Sequence, residues 1–376
     1  MRALSLLIKP ASGSCNVRCR YCFYADVSGA RETKNRGLMT LGLLETLVRK
    51  ALSETGEYCV FGFQGGEPTL AGLDFFRALI GFEERFNKNG VQIAHTLQTN
   101  GLLLDDAWAE FLRENQFLVG LSIDPPKQLH DELRPDATSK GTFNRAMNAA
   151  RLLRKHGAEF NILSVVTRHM AAHPDTTYNF YKRNSFKFIQ FIPCIDGIGE
   201  MSVNDGYTLD AKSYARFLCR VFDLWYEDIG KGEYYSIRAF DNYVQMLTGR
   251  PPESCAMQGS CSAYALVEAD GGVYPCDFYA LDQYLLGNIS THSFAQMLGG
   301  EKAEVFVTPS LQPDPVCGQC EYYFLCRGGC RRDRDPLCDG HLLLNRYCEA
   351  YKEFFHHALP RMRSLTAIRQ GRGKTW

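Results

Sequence analysis

Three cysteines packed into one short segment, Cys15, Cys19 and Cys22 in SCNVRCRYC, constrain this chain more than any other feature. Their spacing lets three thiolates converge from a single loop on one iron-sulfur cube, whereas a complete structural site usually takes four ligands. One iron is then left without a protein ligand. An iron open in this way can bind a small molecule through an amine and a carboxylate, so the spacing points to a reactive cluster and not to a passive electron carrier. A zinc site or a set of buried free thiols would use the same triplet, and the rest of the chain has to separate these readings.

Composition fits a metal-rich enzyme of a reducing compartment. A length of 376 residues suggests about two domains, and 45% hydrophobic residues fill more than one core. Lys+Arg and Asp+Glu both number 42, so no global field argues for nucleic acid or an anionic membrane as partner. The opening MRALSLLIKP is too short an apolar run for a signal peptide, and no later segment approaches the ~18 apolar residues of a membrane span. A cytoplasmic location is expected. There, fifteen cysteines are poor disulfide candidates, and metal ligation is the better use for most of them.

The first two thirds of the chain alternate β-rich runs with segments long enough for helices. The runs are LSLLIKP, YCVFGFQ, VQIAHTLQ, FLVGLSID, FNILSVVT and FKFIQFIPC. After Thr40 as a candidate N-cap, Leu43, Leu44, Leu47, Val48, Ala51 and Leu52 fall on one helical face. Six strands with crossover helices imply an α/β fold with a parallel sheet, its continuous apolar strands buried on both faces. Right-handed crossovers curl such a sheet toward a barrel that six units leave open on one side. Function then belongs at the carboxyl ends of the strands. The cysteine loop follows the first strand and GGEP follows the second, so both land on that rim.

With Tyr21 just before the last cysteine, the triplet resembles the signature of radical S-adenosylmethionine (SAM) enzymes. Gly65, Gly66 and Glu67 in FQGGEPTL resemble that family's GGE motif. The resemblance implies that a backbone carbonyl and the glutamate receive the methionyl ammonium, with glycine keeping a Cβ out of the ligand's way. It further implies a ribose contact from Ser122, a methionyl carboxylate contact from Arg134 and an adenine cover from Ile195. Singly, these residues read as a turn, a strand-end cap and a solvated arginine; their order behind the triplet is what carries weight. One position departs from the family. Asp124 is followed by Pro125 and Pro126 where Asp-Gly-Pro is common, and proline, with φ fixed near about −65° and no amide donor, demands a different local loop.

The last third holds a second cysteine pattern: Cys261, then Gly271 and Cys276 in YPCDFY, then Cys317, Cys320, Cys326 and Cys330, and finally Cys348. It resembles the seven-cysteine SPASM domain, an extension of radical SAM enzymes that modify peptides and proteins. Cys255 supplies an eighth thiol. By resemblance, Cys255, Cys261, Cys276 and Cys330 hold one auxiliary cluster, and Cys317, Cys320, Cys326 and Cys348 hold the other. Two structural zinc ions would suit the same spacings. Together with the first cluster the expected cofactors are three 4Fe-4S clusters and SAM. Cys59, Cys194 and Cys219 read as small buried hydrophobes, Cys338 as a solvent-facing thiol, and His356 and His357 as packing or surface residues. The expected domains are a barrel over 1–235 and an auxiliary-cluster domain with a terminal helix over 236–364. Residues 365–376 read as a mobile tail.

The resemblance narrows further. SLLIKPASGSCN, FQGGEPTLAGL, LQTNG, FNILSVVT and ADGGVYPCDFYALDQYLLGNI are similar to anaerobic sulfatase-maturating enzymes, which oxidise a cysteine or serine of a sulfatase to Cα-formylglycine without oxygen. The resemblance makes Asp277 the general base, against a local reading as a cap or charge partner. Tyr24 and Gln64 are expected to position substrate. The implied reaction is reductive cleavage of SAM, removal of a Cβ hydrogen by the 5'-deoxyadenosyl radical, proton removal by Asp277 and electron transfer to an auxiliary cluster. Expected partners are an unfolded or nascent sulfatase polypeptide and a low-potential flavodoxin or ferredoxin, acting on a monomeric chain. Two other readings are a SPASM maturase forming thioether or carbon-carbon crosslinks in a precursor peptide, and a multi-cluster electron-transfer protein. The first strand begins almost at Met1, which leaves no room ahead of it for the peptide-recognition domain of many crosslinking maturases.

Overall fold

The computed structural model describes residues 1–197 and 206–372. Every β-rich run becomes a strand: β1 (Ala3–Ile8), β2 (Tyr58–Phe63), β3 (Gln92–Thr99), β4 (Phe117–Ser122), β5 (Phe160–Val166) and β6 (Phe188–Pro193). They pair parallel and in sequence order, as crossover helices require. The helix Leu41–Glu54 buries Leu44, Leu47, Val48, Ala51 and Leu52, and Thr40 caps it by accepting from the Leu43 amide at 3.2 Å. Its apolar stripe joins a core in which Phe63, Phe76, Trp108 and Phe117 meet ring to ring.

Burial on the strands differs from the double-sided pattern that their apolar runs suggest. Along β1 and β5, Leu4, Leu6, Ile8, Ile162, Ser164 and Val166 are buried, while the residues between them are half-buried or exposed. One face packs on helices and the other is partly open, as a barrel interior reserved for a ligand requires.

The sheet also extends beyond the expected barrel. A two-residue strand, β7 (Ser236–Ile237), adds beside β6, so the expected boundary at residue 235 falls within the sheet. At the opposite edge, β8 (Ala265–Val267) pairs parallel with β1, matching Leu6 to Ala265 and Ile8 to Val267. Antiparallel β9 (Gly272–Tyr274) and β10 (Gly287–Asn288) follow it, giving one ten-stranded sheet. The cysteine-rich segment is therefore continuous with the barrel through shared backbone hydrogen bonds.

The terminal helix Cys348–Arg372 lies along the helix Ala211–Gly230, with Phe354 against Phe222 at 5.9 Å between ring centres. His357 Nε2 meets Asp223 at 2.7 Å and His356 Nδ1 meets Tyr322 at 3.3 Å, in keeping with packing and surface roles. Residues 365–372, expected as the start of a tail, continue this helix, and 373–376 lie outside the described residues. Cys59 and Cys194 are buried, Cys219 is half-buried and Cys338 is exposed. Among the described residues, no helix is long and apolar enough to cross a membrane.

Candidate active site and cluster cradles

The loop after β1 carries Cys15, Cys19 and Cys22, all half-buried, and Cys22 stands at the N-terminus of the helix Phe23–Gly29. The GGE turn after β2 lies directly on this loop: the Gly66 amide donates to Ser12 O at 3.0 Å and the Glu67 amide to Ser14 O at 2.7 Å. A Cβ on Gly66 would fall 2.0 Å from Ser14 O, and one on Gly65, whose φ is +116°, would fall 2.5 Å from Lys9 Cγ. The glycines are needed for the close approach of the chain to itself, in addition to any approach of a ligand.

Glu67 also has a structural role within the chain. It is 1% exposed, and its carboxylate accepts from the Thr69 hydroxyl (2.7 Å), the Thr69 amide (3.1 Å), the Thr99 hydroxyl (2.7 Å) and the Asn100 amide (2.8 Å). Burial pushes its carboxyl up, and these donors pull the other way. The side chain thus organises the turn after β3, whose Asn100 Nδ2 reaches Asn16 Oδ1 at 2.7 Å and Cys15 Sγ at 3.7 Å.

Arg134 is brought to the triplet, with Nη1 3.7 Å from Cys19 Sγ and Nε donating to Asp124 at 2.7 Å. Tyr21 donates to the same Asp124 oxygen, and the Arg134 guanidinium lies 5.3 Å from the centre of the Tyr21 ring. Burial opposes ionisation of Asp124, yet the adjacent guanidinium outweighs it and holds the carboxyl below its usual range. His130, pushed down to about 4 by burial, is neutral: Nδ1 accepts from the Asp124 amide at 3.1 Å, leaving Nε2 to donate to Thr142 at 3.1 Å. The Pro125-Pro126 departure is absorbed here. Pro126 stands immediately ahead of the helix Lys127–Leu133, and Asp124 carries the loop's polar contacts. Ser122, at the end of β4, accepts from Gln98 Nε2 at 3.0 Å, and Ile195 lies half-buried just past β6.

Asp277 follows Cys276 on a short turn and is 8% exposed. Tyr24 donates to its Oδ2 at 3.0 Å, Gln64 Nε2 donates to the same oxygen at 3.0 Å, and Tyr264 donates to Oδ1 at 2.5 Å. Gln64 also bonds the Tyr24 hydroxyl. Residues from the first cysteine loop, the second strand and the cysteine-rich segment thus meet at one carboxylate. Tyr264 was not recognisable from the sequence: it lies thirteen residues before Asp277 with no motif around it, and only the β8–β9 hairpin brings it there. Behind the group, Lys9 and Arg31 converge on Glu268 at 2.6 and 2.5 Å, all with wholly buried side chains. This triad fastens β1 and the segment after the first cluster helix to the hairpin.

The eight remaining expected ligands sort into two neighbourhoods. Cys317, Cys320, Cys326 and Cys348 line one cavity with Tyr351 and Phe355 as part of its wall. Cys255, Cys261, Cys276 and Cys330 influence one another's ionisation, in keeping with a second neighbourhood: Cys255 and Cys261 push the Cys330 thiol up, and Cys330 does the same to Cys276, in each case after burial. Burial pushes the Cys15 and Cys326 thiols up to about 11 and Cys19 up to about 12, so metal binding is what would make them thiolates. Among the described residues, no three His, Cys, Asp or Glu side chains converge tightly enough for a single ion.

Comparison with known proteins agrees with this geometry. Residues 10–180 match the radical SAM superfamily and residues 255–321 match an iron-sulfur cluster-binding domain, SPASM. A cysteine-type anaerobic sulfatase-maturating enzyme of Clostridium novyi is 44% identical over 362 residues, covering 96% of this chain and 97% of its own. The chain belongs to the anaerobic sulfatase-maturating enzymes. A second cysteine-type member of this family, from Clostridium perfringens, is 46% identical over the same span, and a serine-type member from Bacteroides thetaiotaomicron is 33% identical over 379 residues. The solved structure of native anSMEcpe with bound AdoMet and Cp18Cys peptide superposes with a TM-score of 0.93 at 44% identity, covering 97% of this chain and 99% of that one. Streptococcus suis SuiB bound to the precursor peptide SuiA shares the fold, with a TM-score of 0.64 at 17% identity over 93% of this chain and 76% of that one. Membership in the sulfatase-maturating family implies the radical SAM and auxiliary 4Fe-4S clusters and AdoMet as cofactors.

Proposed function

We propose that this anaerobic sulfatase-maturating enzyme acts on a cysteine of a sulfatase segment, and that Asp277 takes the thiol proton as the residue is oxidised to formylglycine. The observation that carries the reading is the convergence of Tyr24, Gln64 and Tyr264 on Asp277, between the reactive cysteine loop and the auxiliary ligand Cys276. A fixed carboxylate at that junction can meet both the substrate side chain and the site of hydrogen removal, and general base catalysis there contributes about 10²-fold to 10⁴-fold in rate. When bound, the cluster and AdoMet supply the radical chemistry that removes a hydrogen from the substrate Cβ.

The chain's own residues do the rest. Cys15, Cys19 and Cys22 hold the reactive cluster, with Arg134 and Asn100 beside their sulfurs. Gly65, Gly66 and Glu67 shape the ammonium end of AdoMet, with the Glu67 carboxylate held in place by the Thr99 hydroxyl and the Asn100 amide. Tyr21 and Asp124 hold Arg134 in place, and Ser122 and Ile195 serve the ribose and adenine. Cys255, Cys261, Cys276 and Cys330 hold one auxiliary cluster, and Cys317, Cys320, Cys326 and Cys348 the other. Tyr24, Gln64 and Tyr264 orient the base and exclude water from it. A low-potential flavodoxin or ferredoxin as donor and a monomeric chain complete the reading.

Cysteine is favoured as the substrate residue because the cysteine-type relatives share more of the sequence than the serine-type one. Anaerobic incubation with AdoMet, reductant and paired sulfatase peptides carrying cysteine or serine, followed by mass spectrometry, tests this. Aldehyde should form faster from the cysteine peptide. Preference for serine would overturn the substrate assignment, and aldehyde from neither would overturn the reading as a whole.

A further inference from the structure

Lys9 stands one residue past β1, where alternation along the strand turns it away from the helix-side face of Leu4, Leu6 and Ile8. Its amide donates to the Val267 carbonyl at 2.9 Å, extending the β1–β8 pairing, and its ammonium meets Glu268, the residue after β8, at 2.6 Å. Arg31 shares the same Glu268 oxygen at 2.5 Å, and all three side chains are wholly out of solvent. Among the described residues, the other Glu268 oxygen has no hydrogen-bond partner. Two cations thus divide one carboxylate. The positive charge left over lies inside the protein, where a charge without a facing partner is costly.

That charge faces the Tyr24 ring. The Lys9 ammonium lies over it, 5.3 Å from the ring centre, within the range at which a cation is drawn to an aromatic face. The stem of Lys9 is confined as well: a Cβ on Gly65 would fall 2.5 Å from its Cγ and 2.7 Å from its Cε, so Gly65 leaves the space through which Lys9 runs. Phe23 braces the Tyr24 ring at 3.9 Å between ring centres and also meets Phe278, next to Asp277, at 4.7 Å. The Tyr24 hydroxyl donates to Asp277 Oδ2 at 3.0 Å. Direct contacts therefore run from Glu268 through Lys9 and Tyr24 to Asp277. Glu268 itself lies in the β8–β9 hairpin that leads to Asp277, so seating the hairpin on β1 and aiming Tyr24 are one event.

We propose that Lys9 is a positioning residue for the reaction: held by Glu268 against the face of Tyr24, its ammonium fixes the ring so that the hydroxyl stays on Asp277 while the substrate proton is taken. The proposal rests on Asp277 as the base, as given under the proposed function. Lys9 acts on that carboxylate through the Tyr24 ring.

The test is a double-mutant cycle on the full-length, cluster-loaded chain, read as formylglycine formed per 5'-deoxyadenosine with a cysteine peptide. Lys9→Met keeps an unbranched stem beside Gly65 and removes the charge. It should lower this ratio on the order of tenfold, as expected for loss of one desolvated cation–π contact, with iron content and 5'-deoxyadenosine formation retained. In a Tyr24→Phe background, where the hydroxyl is already gone, the same change should have no further effect. Equal losses in both backgrounds would overturn the proposal and leave the triad as a fastening. A parallel fall in 5'-deoxyadenosine would overturn it too, because Lys9 would then act on the Gly65 turn. If Lys9→Met loads no iron, Lys9→Gln, which can still hydrogen-bond Glu268, decides by the same cycle. An unchanged ratio in Asp277→Asn would strike the assignment of the base, and the proposal with it. A lowered ratio there beside an unchanged one in Lys9→Met would strike the proposal alone.

Discussion

Strands β1 to β6 bury leucine, isoleucine, valine and phenylalanine against helices with apolar faces of regular period, whereas much of the chain between Cys255 and Cys348 runs through short turns. Four such turns, Cys255–Met257, Asp277–Tyr279, Pro315–Gln319 and Arg331–Asp333, carry or adjoin expected ligands. The barrel obtains its order from area removed from water. The cysteine-rich segment has less regular packing, and metal ligation contributes directly to the stability of such a region. The contrast teaches where function can be placed. A barrel of regular strands and helices can present an open iron, while the turns of the cysteine-rich segment, whose apolar residues join the same core, deliver Asp277 to it only once they are fastened down.

The largest expected effect breaks the first region's chemistry without its fold. Replacing Cys15, Cys19 and Cys22 by alanine should abolish 5'-deoxyadenosine formation while iron falls from about 12 to about 8 per chain. Continued AdoMet cleavage would remove the reactive site from this loop. Next, chelation of iron under anaerobic conditions should open the segment from Cys255 to Cys348 to proteolysis while residues 1–197 keep their protection. Equal loss of protection in both would mean that the barrel has no stability of its own.

Smaller effects sharpen the barrel side. Phe76 is wholly buried between Phe63 and Trp108, and Phe76→Ala should cost about 3–5 kcal/mol in unfolding experiments. Thr40→Ala removes one cap from the helix Leu41–Glu54 and should cost about 1 kcal/mol, with no change in cluster content.

What could be read from the chain follows the same division. The six strands and the Leu41–Glu54 helix are legible because period and capping are local properties. The pairing of β8 with β1 is not, since a three-residue strand carries no period and its partner lies some 260 residues away. The two auxiliary cysteine sets were named from the resemblance, since their spacings alone suit structural zinc equally. Tyr24, Gln64 and Asp277 were named from the resemblance, but their direct contact depends on that unread pairing, and Tyr264 was missed for the same reason. Glu67 was named from its motif alone, and the Thr99 and Asn100 donors that strand pairing brings to its carboxylate carried no signal in the sequence.

The central claim is that a carboxylate fixed by Tyr24, Gln64 and Tyr264 takes the substrate proton, and Asp277→Asn keeps its shape while removing its basicity. The decisive measurement is the ratio of formylglycine to 5'-deoxyadenosine produced by this variant with a cysteine peptide, alongside its iron content. The account predicts three clusters and AdoMet cleavage retained, with formylglycine lowered at least ~10²-fold. Near-normal formylglycine with the clusters intact would contradict it and leave Asp277 as a structural neighbour of Cys276.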